Sequence, residues 1–412
     1  MNRRALIIGG SLGGLFAAHM LRAIGWQADV FERSAGDLAS RGAGLGTQAG
    51  TKRMLARIKL SLGPQLGAPT RDYVLLDRRG DIICTLDYSR VMTAWSQLYR
   101  PLRDALPAQH YHPGKSYVAA GQDERSVTAT FSDGTRETGD ILIAADGPRS
   151  TIRPQMLPGA RPEYAGYVAW RGLTPEAEIA GDRELLFRSN AYCIPAGELA
   201  ISYPVPGRDG DLRPGKRDYN VVWYRPVDTA ALADLNTDAT GCRHETIPPP
   251  LIRPDIVAAL KADAHAMLAP AIADTFMQSS QPIFQPILDY AAPKLVFGRI
   301  VLLGDAAFVA RPHVGVGVTK AALDGAALAD ALVANSSIEG ALADYERERL
   351  PAGTWAVARA RAFGACVSGD PVLSRMSAAE EAARGERVIR ENVQLHVDVG
   401  EWSGDAELAG VR

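Results

Sequence analysis

The chain has 412 residues, 47% of them hydrophobic and 22% charged, with a formal net charge of −2. That length suits two closely joined domains with a sizeable core, and the near-neutral balance excludes a strong pull toward nucleic acid or an anionic membrane. The four cysteines, Cys84, Cys193, Cys242 and Cys366, are far apart and form no CxxC. This is neither a zinc pattern nor a disulfide framework, and it fits a reducing compartment. The best candidate for a membrane span, Ala321–Ala334, is interrupted by Asp324 and Asp330. Arg3-Arg4 leads into a short apolar run that ends in glycines, which reads as a first strand and not as a signal peptide. The cytoplasm is the expected location.

Ala5-Leu6-Ile7-Ile8 is a continuous apolar run, as expected of a strand buried on both faces of a parallel sheet. Gly9-Gly10-Ser11-Leu12-Gly13-Gly14 follows. A helix is predicted over Leu15–Ile24, with small Ala17 and Ala18 facing a close neighbour, then a strand over Gln27–Phe31 ending at Glu32-Arg33. This is a βαβ unit of the dinucleotide-binding kind, with an acid about 20 residues past the turn to bond a ribose hydroxyl. The turn around Gly9, Gly10, Leu12 and Gly14 and the dipole of the helix favour a pyrophosphate. Ser11 stands where GxGxxG has its second Gly. It is small, and its hydroxyl can bond a phosphate oxygen.

Arg41–Gly46 is a second glycine cluster containing Gly44, either a mobile loop or a turn into a helix near Lys52–Ile58. Tyr73–Leu76 and Ile82–Leu86 flank Arg79-Gly80-Asp81, a hairpin signature. Trp95–Leu106, with Arg100 in it, has helical apolar spacing. Val127–Phe131 and the Ser132–Thr135 turn read as another hairpin. Asp140–Ala145 is a buried strand ending in Asp146-Gly147, followed by Arg149-Ser150 and Arg153.

Short apolar-aromatic strands then dominate: Val168–Gly172, Leu185–Phe187, Leu199–Val205 and Tyr219–Val227. They predict a mostly antiparallel sheet inserted into the nucleotide domain. Pro248–Pro250 opens a helical stretch through about Phe276, and the chain returns to the nucleotide domain at Leu295–Leu303. Gly304-Asp305, a loop with Pro312 and His313, and a new helix start at Gly315–Gly317 follow. Helices are expected at Ala321–Leu332 and Ile338–Ala362. A last helical stretch, Ser374–Val393, is a candidate for packing on a second copy of the chain. Two nucleotide-type turns so far apart suggest one long cofactor held from both ends, for which FAD is the natural candidate.

Three fingerprints thus occur in order: Gly9–Gly14, Asp146-Gly147 with Arg149 and Arg153, and Gly304-Asp305-Ala306-Ala307 followed by Pro312. Together, over nearly the whole chain, they resemble the flavoprotein aromatic monooxygenases of the para-hydroxybenzoate hydroxylase fold family. The expected fold is α/β with an α+β insert: a Rossmann-like FAD domain with a parallel sheet, a mostly antiparallel substrate sheet, and C-terminal helices. The expected boundaries are 1–70, 95–160 and 285–350 for the FAD domain, 71–94 and 161–284 for the substrate domain, and 351–412 for the helical segment.

The resemblance implies that Ser11 and the turn glycines face the pyrophosphate, Glu32 the adenosine ribose and Asp305 the ribityl chain. Gly315–Gly317 would aim amides at the flavin's pyrimidine edge, where reduced flavin is negatively charged. Gly42–Gly46 resembles the loop beside the isoalloxazine, and the Asp146-Gly147 segment a region serving both FAD and the nicotinamide cofactor. Three departures stand out: Ser11 for Gly, Phe308 where many relatives have His, and no Arg at the start of the early helix, which leaves Arg100 for the phosphate contact. The implied activity is hydroxylation of a small phenol or hydroxylated N-heteroaromatic ring through a flavin hydroperoxide. NADH or NADPH and molecular oxygen are the expected co-substrates; the C-terminal stretch allows a homodimer, and no nucleic-acid or membrane partner is expected. His313 is the candidate acid-base or proton-relay group, beside Pro312. Tyr203 and Tyr224 either bond ring hydroxyls or pack. A flavin reductase or halogenase on the same scaffold, or a non-catalytic FAD-binding regulator, are the alternatives; the Lys-bearing motif usual for halogenation is not seen.

Overall fold

The structure is a computed structural model that describes residues 3–38, 44–62, 66–179, 182–279, 281–370 and 372–402, with the side chains of all these but 374 and 399–402. The second glycine cluster therefore lies partly outside the described residues, at 41–43, as do the last ten residues of the C-terminal segment.

The apolar run after Arg3 forms the strand Arg4–Ile8, and Ala5, Leu6 and Ile7 are fully buried. It pairs in parallel with Ile141–Ala144 on one side and Gln27–Glu32 on the other. Ile300–Leu302 and Tyr111–Pro113 extend the sheet in parallel, and Val296–Phe297 adds an antiparallel edge. The helices Leu12–Ala23 and Gly317–Ala334 pack on it. They touch where Gly325 meets Ala17: a Cβ on Gly325 would stand 3.1 Å from the Ala17 Cα. Small Ala17 of the first helix thus serves a close helix–helix contact.

The second sheet has nine strands among the described residues. Its neighbours are antiparallel except Ser189–Cys193, which runs parallel to Ala68–Leu76. Alternation along Asp218–Pro226 sends Val222 and Tyr224 to one face and Val221 and Trp223 to the other. The Val221 face is covered by the helices Pro254–Met267 and Pro270–Gln278. On the Tyr224 face lie the helices Ile338–Gly364 and Ala378–Trp402, through Ala356, Phe363, Val388 and Ile389.

One expectation is corrected, and three others meet particulars of the structure. Leu185–Phe187 is not a strand but the middle of a helix, Arg183–Arg188, whose N-cap Asp182 accepts from Leu185 N at 3.0 Å; capping outweighs a three-residue apolar run, and the strand follows at Ser189–Cys193. Gly44–Thr47 and the first three residues of the strand Ala68–Leu76 belong to the second sheet, although they fall within residues 1–70. The boundary at 350 falls inside one continuous helix, Ile338–Gly364. The helix Ala378–Trp402, in the stretch expected to meet a second copy, buries Val388, Ile389 and Val393 against its own chain.

Candidate active site

The first turn is closed by its glycines. Gly9 has φ +113°, and a Cβ there would meet the Ala145 carbonyl oxygen at 2.3 Å; one on Gly14 would stand 1.9 Å from the Gly9 carbonyl oxygen. Ser11 needs no such freedom, since its backbone is extended at φ −84°, which accounts for a side chain at that position. The amides of Gly9 and Gly10 are already engaged, donating to Phe31 O (2.9 Å) and Glu32 Oε2 (2.8 Å). Glu32 also accepts from Ser34 N at 2.8 Å, which fixes its carboxylate at the strand end.

A cavity of about 760 Å³ runs from this turn to the late Gly-Asp motif, lined by Gly9, Ser11, Leu12, Glu32, Asp305 and Gly317 among others. Two helices open on it, Leu12–Ala23 and Gly317–Ala334. Neither has a side-chain cap nor an acid in its first turn. Their first-turn amides and positive ends therefore remain uncompensated toward the cavity. The polar groups fit FAD: one helix end could take the pyrophosphate and the other an electron-rich ring edge, while the carboxylates of Glu32 and Asp305 could accept from sugar and ribityl hydroxyls.

The turns that meet here are tied together from behind. Buried Arg153 donates to Pro148 O (2.7 Å) and Ala306 O (3.1 Å), joining the Asp-Gly and Gly-Asp segments. Asp146 Oδ2 accepts from Thr151 N at 2.7 Å, while its Oδ1 is buried without a partner among the described residues, and burial raises its carboxyl above the usual range. Asp324 accepts from Gly304 N at 3.0 Å and from Arg349 Nε at 2.8 Å. Fully buried Lys320 stands 3.4 Å from Asp305 Oδ1.

A second cavity of about 530 Å³ adjoins the first, and Asp146, Asp305 and Gly317 line both. The Tyr224 face of the second sheet supplies its aromatic wall: Tyr73, Tyr192, Tyr203 and Tyr224. The loop before the helix Gly317–Ala334 contributes Pro312, His313 and Gly315. Tyr203 donates to Gly44 O at 3.0 Å, so its hydroxyl holds the neighbouring strand. Tyr224 meets His313 edge-on, with ring centroids 5.4 Å apart.

His313 is buried. Its Nε2 lies 2.8 Å from the Tyr167 hydroxyl, and its Nδ1 has no partner among the described residues. Burial, and then the Arg311 charge, push the imidazole down to about 3. The expected base with an ordinary imidazole range is thereby corrected: this group is neutral at physiological pH, because burial disfavours its charged form.

Of the other expected residues, Arg33, Gly44, Asp146 and Gly304 line the first cavity, while Gly10 and Gly14 stand behind it as packing. Arg100 is exposed and lines neither cavity. The helix Trp95–Asp104 buries Leu98, Tyr99 and Leu102, which turns Arg100 outward; Trp95 is its cavity residue. Phe308 is buried against Gly353, outside both linings. Sequence reading missed Arg90, His396, Tyr73 and Tyr192, which no motif marks.

The FAD binding domain family matches residues 3–180 and 245–360. The chain is 31% identical to the 2,6-dihydroxypyridine 3-monooxygenase of Paenarthrobacter nicotinovorans, over 85% of this chain and 88% of that one. It is 27% identical to the FAD-dependent urate hydroxylase of Klebsiella pneumoniae, over 84% and 85%. The solved structure of 2,6-dihydroxypyridine-3-hydroxylase from Arthrobacter nicotinovorans superposes with a TM-score of 0.83 at 28% identity, covering 90% of this chain and 96% of that one.

Proposed function

The chain belongs to the FAD binding domain family, and from that premise we propose that it is an FAD-dependent monooxygenase that hydroxylates a small phenol or a hydroxylated N-heteroaromatic ring of the pyridine type. The observation that carries this reading is the junction of the two cavities along Asp146, Asp305 and Gly317. A dinucleotide-shaped site and an aromatic-walled chamber share those walls, so a ring in one lies against whatever fills the other. Relatives of similar length named for hydroxypyridine and urate hydroxylation support the class of ring.

In this reading the first-turn amides of Leu12–Ala23 and the Ser11 hydroxyl hold the pyrophosphate, Glu32 the ribose and Asp305 the ribityl chain. When FAD is bound, the chemistry supplied is activation of molecular oxygen at the expense of NADH or NADPH, with one atom transferred to the ring. The protein's own part is to orient the ring and exclude water. Tyr224 and the other tyrosines pack its faces, and His313 Nδ1 offers a neutral donor to a ring oxygen. Arg149, which lines both cavities, would meet the nicotinamide cofactor. The four unpaired thiols suit the reducing cytoplasm. We also propose a homodimer, which light scattering on the purified protein tests. The activity is tested by NADH and NADPH oxidation with a panel of hydroxypyridines and phenols, with the product mass read in each case. NAD(P)H consumption without an oxygenated product would leave a reductase.

A further inference from the structure

One wall of the ring cavity carries a cation that this reading does not use. Arg90, on the strand Ile82–Ala94, lines the cavity. Its Nη1 donates to the Tyr73 hydroxyl at 3.1 Å and lies 2.8 Å from His396 Nε2. Its Nη2 packs against Gly46, closed off from solvent, and has no partner among the described residues. Among the described residues no carboxylate pairs with it. A guanidinium stays charged at any working pH and can only donate. His396 Nε2 therefore accepts, and the imidazole proton sits on Nδ1. His396 is 5% exposed, lines the same cavity, and its Nδ1 is likewise without a partner.

The space around the cation is made for it. A Cβ on Gly46 would stand 2.3 Å from Arg90 Nη2, so the neighbouring strand carries a glycine where the guanidinium lies. Arg90 is half-buried, and a charge held partly out of water without a carboxylate is costly; neutral tyrosines and a neutral imidazole do not balance it. The missing complement is a negative charge brought by a ligand. The cavity's own carboxylates, Asp146 and Asp305, stand at the wall shared with the first cavity, where they disfavour an anion.

We propose that Arg90, steadied by Tyr73 and His396, determines specificity in this cavity by receiving an anionic oxygen of the substrate, either a carboxylate or an ionised ring hydroxyl. The assignment rests on the reading of the cavity as a ring site. The anion on Arg90 turns the other edge of the ring toward the shared wall.

The test is calorimetric binding to the FAD-loaded protein, with benzoate against benzamide and 4-nitrophenolate against nitrobenzene. At least one anion should bind about 10- to 100-fold more tightly than its neutral partner, the span of a hydrogen bond to a charged group. Arg90→Gln should remove that gap while leaving the neutral ligand's affinity in place, and Arg90→Lys should keep part of it. The arm that shows the gap identifies carboxylate or ring oxide. A wild type with no gap in either arm, or a gap that survives in Arg90→Gln, overturns the assignment. So does an Arg90→Gln protein that loses FAD with its gap intact. A protein with the Arg90-dependent gap that hydroxylates nothing keeps this assignment and removes the monooxygenase reading; one that hydroxylates neutral rings without a gap does the reverse.

Discussion

The Tyr167 hydroxyl lies 2.8 Å from His313 Nε2 and itself receives Arg311 Nη1 at 3.3 Å. Since the guanidinium only donates, the Tyr167 proton points to His313, and the imidazole proton is left on Nδ1. Arg311 is held in turn by Asp289, 2.8 Å from its Nε. A relay of fixed polarity, Asp289–Arg311–Tyr167–His313, thus ends in a neutral donor beside the cavity.

His313→Asn should keep FAD and still consume NAD(P)H. Hydroxylation should fall about 10- to 100-fold, the loss expected of an orienting hydrogen bond, with more oxygen diverted to peroxide. Tyr167→Phe should shift both readouts in the same direction by less. The wild-type pH profile should show no inflection near 6.5 that His313→Asn removes; such an inflection would restore the imidazole as a titrating base.

Acid should unfold the protein partly through the same residue. His313 titrates at about 3 in the folded chain against 6.5 unfolded. Its contribution to stability is complete above pH 6.5 and is lost as pH falls toward 3, because the unfolded state takes up the proton first. Burial also lowers His396, in the same direction. The loss from His313 is on the order of a few kcal/mol. Tm measured across that window should fall, and His313→Gln should flatten the fall; parallel curves for the two proteins would contradict this.

What the sequence revealed of this site followed the reach of its motifs. The turn at Gly9–Gly14 and Glu32, the strand before Asp146 and the Gly304-Asp305 turn are local patterns, legible because backbone geometry demands those residues at those spacings. Arg100 lies on the outward face of its helix, away from both cavities, and no motif fixes that face. Arg90 and His396 were invisible: they meet only through a strand and a C-terminal helix 306 positions apart. The ordinary range expected for His313 failed because burial, which sets it, is a tertiary property.

Asp305→Ala should weaken FAD about 10- to 100-fold, by loss of a charged acceptor for ribityl hydroxyls. It also leaves Lys320 buried without its acid, so Tm of the FAD-free protein should drop. Asp305→Asn should spare part of the FAD affinity. Equilibrium titration of FAD measures this, and unchanged affinity in both variants would move the ribityl contact elsewhere.

Arg153→Lys should loosen the join between Pro148 and Ala306. A lysine keeps the charge but cannot reach both carbonyls in one plane. A loss of about 2 kcal/mol is expected from two bonds to a charged group, read by denaturant unfolding, with faster FAD release. Full stability and retention would reduce Arg153 to a bystander.

The most direct test of the account is one turnover under labelled oxygen. The purified protein, loaded with FAD and supplied with NADH or NADPH and 2,6-dihydroxypyridine or a related hydroxypyridine, is exposed to ¹⁸O₂ and its product weighed. The account predicts a ring product carrying a single labelled oxygen, formed in proportion to the nicotinamide consumed. Nicotinamide oxidised while oxygen is reduced only to peroxide across the whole panel of phenols and hydroxypyridines, or a product whose new oxygen comes from water, would contradict it.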